Sequence, residues 1–182
     1  GTVGSGNGRI MYPNGDEYLG QWIGGYLRHG NGILNYANGA VYKGQFSENL
    51  RSGLGSLVLS NGERSEGEWA EDCLHGEGSQ NCPGTFFYTG RFRHGLFDGI
   101  GYIRRCDGTE YRGEWRKGKQ HGKGYSEDKG RGSRRYRYNG SWQLGQKHGI
   151  GWLEEDNGPF FTSSCIGDEV ELLQPLSVRN KY

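Results

Sequence analysis

Residues 111–124 read YRGEWRKGKQHGKG, a stretch with four glycines and two aromatic side chains but no aliphatic one. Close variants begin at Tyr138 (YNGSWQLGQKHGIG) and at Tyr42 (YKGQFSENLRSGLG). Of the 182 residues, 36 are glycine and 13% are aromatic, so a thick core of leucine and valine is not available. The aromatic rings are therefore the side chains that this chain has to bury.

The stretch is one unit of a tandem repeat. Aligned on the pattern Y-x-G-x-W-x-x-G-x-x-H-G-x-G, the copies begin at Tyr18, Tyr42, Ser65, Tyr88, Tyr111 and Tyr138. Ser5 to Gly8 match the end of an earlier copy, whereas Phe161, Ser163 and Cys165 fall where Tyr, Gly and Trp are expected in a decayed last copy. A period of this length predicts a stacked array whose units do not fold alone.

Within a copy, the alternation of residue types predicts an antiparallel hairpin. If the tyrosine is position 0, then positions 0, 2 and 4 (Tyr, Gly, Trp or Phe) share one face of a strand, and positions 1 and 3 are polar and face the other way. We expect Trp at position 4 to lie opposite Gly at position 11 of its own copy, for example Trp115 over Gly122 and Trp142 over Gly149. The glycines at positions 2 and 13 then face each other, and the tyrosine meets position 15.

The connections between copies are Asn-Gly or Asp-Gly turns such as Pro13-Asn14-Gly15. A three-residue loop with glycine in the left-handed region keeps the aromatic face continuous from one copy to the next, whereas a two-residue turn would put the next tyrosine on the wrong face. The predicted fold class is therefore all-β: an elongated single-layer antiparallel β-meander of tandem hairpin repeats, twisted and curved, with about thirteen strands.

These residues resemble the MORN repeat (membrane occupation and recognition nexus) from about Ser5 to Asp168. The departures from the motif are Ser65 for Tyr, Phe46 and Phe92 for Trp, and Ser52 and Asp98 for His. The copy that begins at Ser65 is expected to be the most weakly packed. The resemblance implies an elongated sheet with an aromatic concave side. It also implies a scaffold role in junctional, cytoskeletal or ciliary proteins, or a module attached to a lipid kinase or a methyltransferase.

A single sheet with one aromatic face has no second layer to cover that face, and exposed apolar strips mark interaction sites. We therefore predict a groove that binds a peptide or helix of a partner protein. The alternative is that every ring is used in packing on its own glycines. The predicted groove residues are Tyr18, Trp22, Tyr42, Phe46, Trp69, Tyr88, Phe92, Tyr111, Trp115, Tyr138 and Trp142.

Charge is concentrated in one segment. Residues 104–147 carry 13 Lys or Arg against 5 Asp or Glu, although the whole chain has a net charge of only +1. Basic clusters attract anionic surfaces, so a second hypothesis is a membrane-apposition module that binds acidic phospholipid. The alternative interpretation is a solvated loop, and nucleic acid is not an expected partner because the aromatic residues are committed to the sheet. The predicted anionic-surface residues are Arg131, Arg134, Arg135 and Arg137.

The sequence offers no candidate active site. One repeat position carries a histidine in four copies (His29, His75, His121 and His148), which is typical of a structural residue. Gly-x-Gly strings mimic phosphate-binding loops, but the strand–loop–helix context of such loops is missing. We expect a non-catalytic protein with no cofactor and no metal. A third hypothesis is a regulatory domain of a larger enzyme, because the chain begins within a repeat and without methionine and is expected to be an excised domain.

The predicted domains are a repeat array over residues 1–168 and a capping segment over residues 169–182. Asp168 is placed to cap a short helix that Pro175 ends, and this helix is expected to cover the last edge of the sheet. The alternatives are that the segment lies back along the groove or mediates self-association.

The sequence also bears on the compartment. The four cysteines lack both CxxC spacing and the pattern of a small disulfide-bonded domain, so we expect free thiols in a reducing compartment. The sequence carries neither a signal-peptide pattern nor an apolar segment of membrane-spanning length. The expected location is the cytoplasm. A membrane or a cytoskeletal structure within it is the alternative.

Overall fold

The structure, a computed structural model, describes the backbone of residues 4–129, 135–156, 161–166 and 169–175, and the side chains of residues 4–128 and 135–156. Every regular element in these ranges is a strand, and paired neighbours run antiparallel in chain order. No helix of membrane-spanning length and apolarity occurs among the described residues. The predicted all-β, single-layer meander of hairpins is confirmed.

The chain forms two compact units, Gly1–Leu96 and Phe97–Tyr182. The strands of the first unit are β1 (Gly6–Met11), β2 (Glu17–Ile23), β3 (Leu27–Asn35), β4 (Val41–Ser47), β5 (Leu50–Val58), β6 (Arg64–Ala70), β7 (Cys73–Cys82) and β8 (Phe86–Arg93). Strand β9 (Leu96–Arg105) begins at the unit boundary. The other strands of the second unit are β10 (Glu110–Arg116), β11 (Lys119–Lys129), β12 (Arg135–Gln143), β13 (Gln146–Glu155), β14 (Phe161–Ile166) and β15 (Glu169–Pro175).

The described residues contain two strands more than the predicted thirteen, because the decayed copy and the tail are also strands. Phe161 pairs with Leu153 and Cys165 pairs with Gly149. These are the pairings that a tyrosine and a tryptophan make in the regular copies, so the backbone of the decayed copy keeps the repeat register.

The three-residue connection between copies is confirmed. In the first such loop, the amide of Tyr12 donates to the carbonyl of Asp16 at 2.8 Å, and Gly15 lies in the left-handed region at a φ of 88°. Three residues separate the two bonded residues, so Ile10 pairs with Tyr18. The tyrosine thereby stays on the same face as in the preceding copy.

Inside each hairpin, the predicted register is right for one half and wrong for the other. Gly113 pairs with Gly124 as predicted, but Trp115 pairs with Gln120 and not with Gly122. A bulge in β11 inserts two residues at this point, and Gly122 adopts a φ of 58° there. The left-handed conformation favours glycine, so this glycine forms the bulge and does not lie under the ring of its own copy.

The predicted C-terminal helix is wrong. Residues 169–175 form β15, which pairs with β14 through Cys165 and Val170. A helix of so few residues is marginal in water, whereas the free edge of β14 offers a row of backbone hydrogen bonds. The capping role of residues 169–182 stays a prediction. Asp168, the predicted helix cap, lies outside the described residues.

Candidate interaction surface

The tyrosine ring of each regular copy covers the paired glycines of its own hairpin. A Cβ atom added at Gly113 would lie 2.6 Å from the hydroxyl oxygen of Tyr111, and one added at Gly124 would lie 2.5 Å from Cε2 of the same ring. The Tyr111 hydroxyl donates to the carbonyl of Glu114 at 2.8 Å. Glycine is therefore required at both positions by the ring that lies on them, and at Gly113 also by the backbone of Lys123 and Gly124, which lies equally close.

Tyr18, Tyr42 and Tyr111 are each also clamped between the large aromatic rings of two successive copies. Tyr111 lies 5.1 Å from Trp115 of its own copy and 5.0 Å from Trp142 of the next, with both contacts edge-to-face. Tyr42 contacts Phe46 and Trp69 in the same way. In the first unit these contacts link the rings from Trp22 to Trp69 and join Tyr88 to Phe92, and in the second unit they link the rings from Phe97 to Tyr138. We call these rows of rings the aromatic ladder.

A further row of side chains closes the ladder. After the bulge, Trp at position 4 pairs with position 9 of its own copy, as Trp142 does with Lys147. The Arg51 guanidinium lies 4.6 Å from the Trp69 ring centre, and the Lys147 ammonium lies 5.3 Å from that of Tyr138. Sequence analysis missed this row because its pairing depends on the bulge. The residues at this position are Arg28, Arg51, Leu74, Phe97, Gln120 and Lys147.

The rings that sequence analysis assigned to a partner groove are largely enclosed by the ladder. Five tyrosines are 0–1% exposed, Phe46 and Phe92 are 3% exposed, and three of the four tryptophans are 5–7% exposed, whereas Trp22 is half-buried. Tyr111 is 0% exposed even though it lies opposite the small Ser126. The predicted groove residues therefore lie together, but they form the hydrophobic core of the sheet. Their role as partner contacts stays a prediction. The buried tyrosines are Tyr18, Tyr42, Tyr88, Tyr111 and Tyr138.

Burial of the ladder tyrosines also affects their ionisation. Desolvation raises the pKa of Tyr42 to about 12, and the same cause raises the pKa of Tyr18 and of Tyr111. The nearby Arg51 guanidinium opposes the shift at Tyr42, but burial is the larger effect. These phenols are held neutral over the whole physiological range.

Position 3, assigned to the polar face, has a structural role at the bulge. The Glu114 carboxylate accepts a hydrogen bond of 2.9 Å from the backbone amide of Lys123. Gln21 and Gln45 accept equivalent bonds from the amides of Asn31 and Leu54 at 2.8 and 3.1 Å. An oxygen on an unbranched side chain is the shared requirement, which Glu and Gln both meet.

In each unit, the face opposite the ladder carries positions 1, 3, 12 and 14, and we call it the open face. In the first unit it holds a groove of about 610 Å³ over the backbone of paired glycines. Leu54 projects into this groove with 66% of its surface exposed. The side chains that line the groove are Asn31, Ile33, Lys43, Leu54, Ser56 and Glu66.

The open face of the second unit also exposes apolar side chains. Ile100 is 64% exposed, Ile150 is 70% exposed and Trp152 is 47% exposed. Tyr102 and Tyr125, at the same repeat position as Trp152, are half-buried. Sequence analysis assigned this face from positions 1 and 3 alone and missed these residues, although their recurrence at positions 12 and 14 was a readable signal.

Family comparison agrees with this geometry. The MORN repeat family model matches residues 18–41, 42–64, 88–110, 111–126 and 138–158, which together are more than half of the chain. The chain belongs to the MORN repeat family. The family model leaves residues 65–87 unmatched, and this is the copy in which Ser65 replaces the tyrosine.

A search of curated proteins gives no match. Among solved structures, the array is similar to the SAS-4 (dCPAP) TCP domain of Drosophila melanogaster, described in complex with a proline-rich motif of Ana2 (dSTIL). The sequence identity is 12%, the match covers 91% of this chain and 88% of that chain, and the TM-score is 0.37.

The basic residues assigned to anionic surfaces are only partly within the described structure of the MORN array. Arg131 and Arg134 lie outside the described residues. Arg135 forms an ion pair of 3.1 Å with Glu127, and Arg137 forms pairs with Glu154 at 3.3 Å and with Asp156 at 3.5 Å. Two of the four arginines therefore already have carboxylate partners within the array.

The repeated histidines of the MORN array do not form a cluster that would bind a metal. Among the described residues, no group of three His, Cys, Asp or Glu side chains is placed to hold a metal ion. The rings of His75 and His94 lie in an edge-to-face arrangement with their centres 5.1 Å apart. This contact joins one hairpin to the tip of the next.

Proposed function

We propose that this MORN array is a non-catalytic scaffold that binds a peptide or helix of a partner protein. The ladder leaves its tyrosines almost no accessible ring surface, so we assign binding to the open face and not to the predicted aromatic groove. The single observation that carries the proposal is the groove around Leu54, whose side chain is 66% exposed above a floor of glycine backbone. An apolar side chain exposed in a concave surface is typical of a docking site.

Groove geometry favours a narrow ligand. Gly32, Gly44, Gly55 and Gly67 present only backbone to the groove, so a ligand can approach the sheet closely. Lys43 on β4 and Glu66 on β6 both line the groove, on either side of Ser56 on β5. Charges of both signs at these two places can fix the register of a bound segment.

The test is selection of peptides from a displayed library on the immobilised chain, followed by affinity measurement on purified variants. Leu54→Glu places a charge in the groove and is expected to weaken the selected peptides at least tenfold, about 1.4 kcal/mol. The matched control is Leu50→Glu, because Leu50 is 41% exposed and does not line the groove. Peptides that bind both variants as tightly as the original chain would refute the assignment.

A second proposal is membrane apposition through the basic segment, supported by the 13 Lys or Arg against 5 Asp or Glu in residues 104–147. Replacement of Arg131, Arg134, Arg135 and Arg137 by glutamate should then abolish sedimentation with vesicles that contain acidic phospholipid, and added salt should weaken it steeply. Salt-insensitive binding, or none, would exclude it. The role of a regulatory domain in a larger enzyme stays a prediction.

A further inference from the structure

Three aromatic side chains form a stripe across the open face of the second unit. Tyr102, Tyr125 and Trp152 occupy the same repeat position on β9, β11 and β13. Arg112 pairs with both tyrosines across β10, and Asn139 pairs with both Tyr125 and Trp152 across β12. The aromatic residues therefore recur every second strand, in a line perpendicular to the strands. The same position in the first unit holds Ile33, Ser56 and Ser79.

The spacing of the three aromatic residues discriminates between the possible conformations of a ligand that contacts all of them. Strands about 4.8 Å apart place the three aromatic residues about 9.6 Å from one another. A polyproline II helix repeats every three residues, or about 9.3 Å, which differs by about 0.3 Å per step. An α-helix returns to the same face after seven residues, or about 10.5 Å, and misses by about 0.9 Å per step. An extended strand repeats at about 6.7 Å and does not match.

A trough runs beside the stripe and gives such a ligand a place to lie. Ile100, Lys123 and Ile150 stand two residues away along the same three strands, and paired glycines form the floor between the two rows. Ile100 and Ile150 are each more than 60% exposed. Neighbouring strand residues on one face are about 6.7 Å apart, so the trough is narrow. It lies between the three aromatic residues on one side and Ile100, Lys123 and Ile150 on the other.

The charges of the trough favour an acidic ligand. The Arg112 guanidinium lies 4.9 Å from the ring centre of Tyr102, and the Arg112 side chain is 68% exposed. Lys123 is exposed on the opposite wall. The nearby carboxylates have partners within the chain, since Glu127 accepts from Arg135 and Glu114 accepts from the Lys123 amide. Arg112 also lies 3.9 Å from the Glu110 carboxylate, but this ion pair is long and largely exposed to solvent, so an acidic residue of a ligand can replace it.

We infer that the stripe binds a polyproline II segment of a partner protein that has proline at every third residue and acidic residues between. The prolines pack on Tyr102, Tyr125 and Trp152, and the carboxylates pair with Arg112 and Lys123. The Asn139 amide donates to the backbone carbonyls, which a polyproline II helix leaves without internal partners. This inference rests on the proposed function, because it names the ligand for the second unit's part of the open face.

The experiment measures binding of a fluorescent peptide of about four Pro-Pro-Asp triplets to the full chain by anisotropy. Trp152→Ala is expected to weaken binding at least tenfold. Ser79→Ala, at the same repeat position in a copy without an aromatic residue there, is expected to leave it unchanged. Arg112→Glu serves as a second variant on an exposed side chain, and it should weaken the Pro-Pro-Asp peptide and strengthen a Pro-Pro-Lys peptide.

Binding that Trp152→Ala and Arg112→Glu both leave unchanged would overturn the inference. So would tighter binding of an amphipathic helical peptide of equal charge, or no binding of the proline-rich peptide at all. None of these results bears on the groove around Leu54, which the peptide-display experiment tests separately. Failure of this inference is therefore distinguishable from failure of the proposed function.

Discussion

Trp142 pairs across strands with Gly122, a residue of the preceding repeat. Its indole nitrogen donates a hydrogen bond of 3.2 Å to the carbonyl of Gly124 in the same neighbour. Trp69 makes the equivalent bond of 3.0 Å to Gly55. The large ring of a copy therefore stabilises the copy before it, and a repeat is complete only when the next one is present.

This sharing predicts a large effect of removing a ladder tyrosine. Tyr111→Ala should lower the free energy of unfolding by about 3–5 kcal/mol, because a fully buried ring and its contacts with two tryptophans are lost. Urea denaturation followed by circular dichroism measures the effect. Tyr26→Ala is the control, since Tyr26 is 73% exposed, and it should change stability by less than about 0.5 kcal/mol. Equal effects of the two changes would contradict the ladder.

The bulge contact predicts a difference between two substitutions at one residue. Glu114→Ala should destabilise by about 1 kcal/mol, because the Lys123 amide loses its acceptor. Glu114→Gln keeps an oxygen at the same place, as Gln21 and Gln45 do in other copies, and should remain within about 0.5 kcal/mol of the original chain. If both variants lose the same stability, the charge and not the hydrogen bond is responsible.

The buried hydroxyl of Ser126 leads us to predict that one substitution at this residue is stabilising. It is 2% exposed, and its hydroxyl has no hydrogen-bond partner among the described residues. It lies between Tyr111 and Tyr138, at the position that Leu34 and Ile103 fill in other copies. Ser126→Ala removes the unsatisfied hydroxyl and should raise the free energy of unfolding by about 1 kcal/mol. A lower thermal midpoint of the variant would show that the hydroxyl has a partner.

The raised tyrosine pKa values predict alkaline unfolding. The folded state disfavours the phenolate of Tyr42, with a pKa of about 12 against 10.0 for the ordinary group. Stability from this residue is therefore complete below pH 10 and is lost as the pH rises from there through about 12. Tyrosinate absorbance should rise together with loss of the strand signal, and Tyr42→Phe should make the decline shallower. Complete ionisation of all tyrosines in a folded chain would contradict this prediction.

The residue pattern was enough to predict the fold class and half of the register. The Gly113–Gly124 pairing and the three-residue loops follow from alternation and from turn chemistry. The bulge at Gly122 does not, because a glycine there fits equally well under a ring or in a left-handed conformation. Only the second option lets Trp142 reach the preceding copy, and that contact joins residues 20 apart in the sequence.

The candidate site was harder to predict than the fold. A tyrosine in an exposed groove and a tyrosine in a closed ladder have the same spacing, and the difference lies in contacts from the following copy and from position 9. The apolar residues of the open face were present in the sequence as Leu54, Ile100 and Ile150. Their exposure depends on the absence of a second layer over them, which no single copy reveals.

The division of each copy into a ladder face and an open face has an evolutionary consequence. Position 12 is Asn31, Leu54, Glu77, Ile100, Lys123 or Ile150 in successive copies, so a wide range of chemistry is accepted there while the glycines, tyrosines and tryptophans recur. A substitution on the open face alters what one strand pair displays and leaves the neighbouring modules as they were. Such an array can acquire a new binding specificity through substitutions in one copy at a time, while the packing of the other copies stays unchanged.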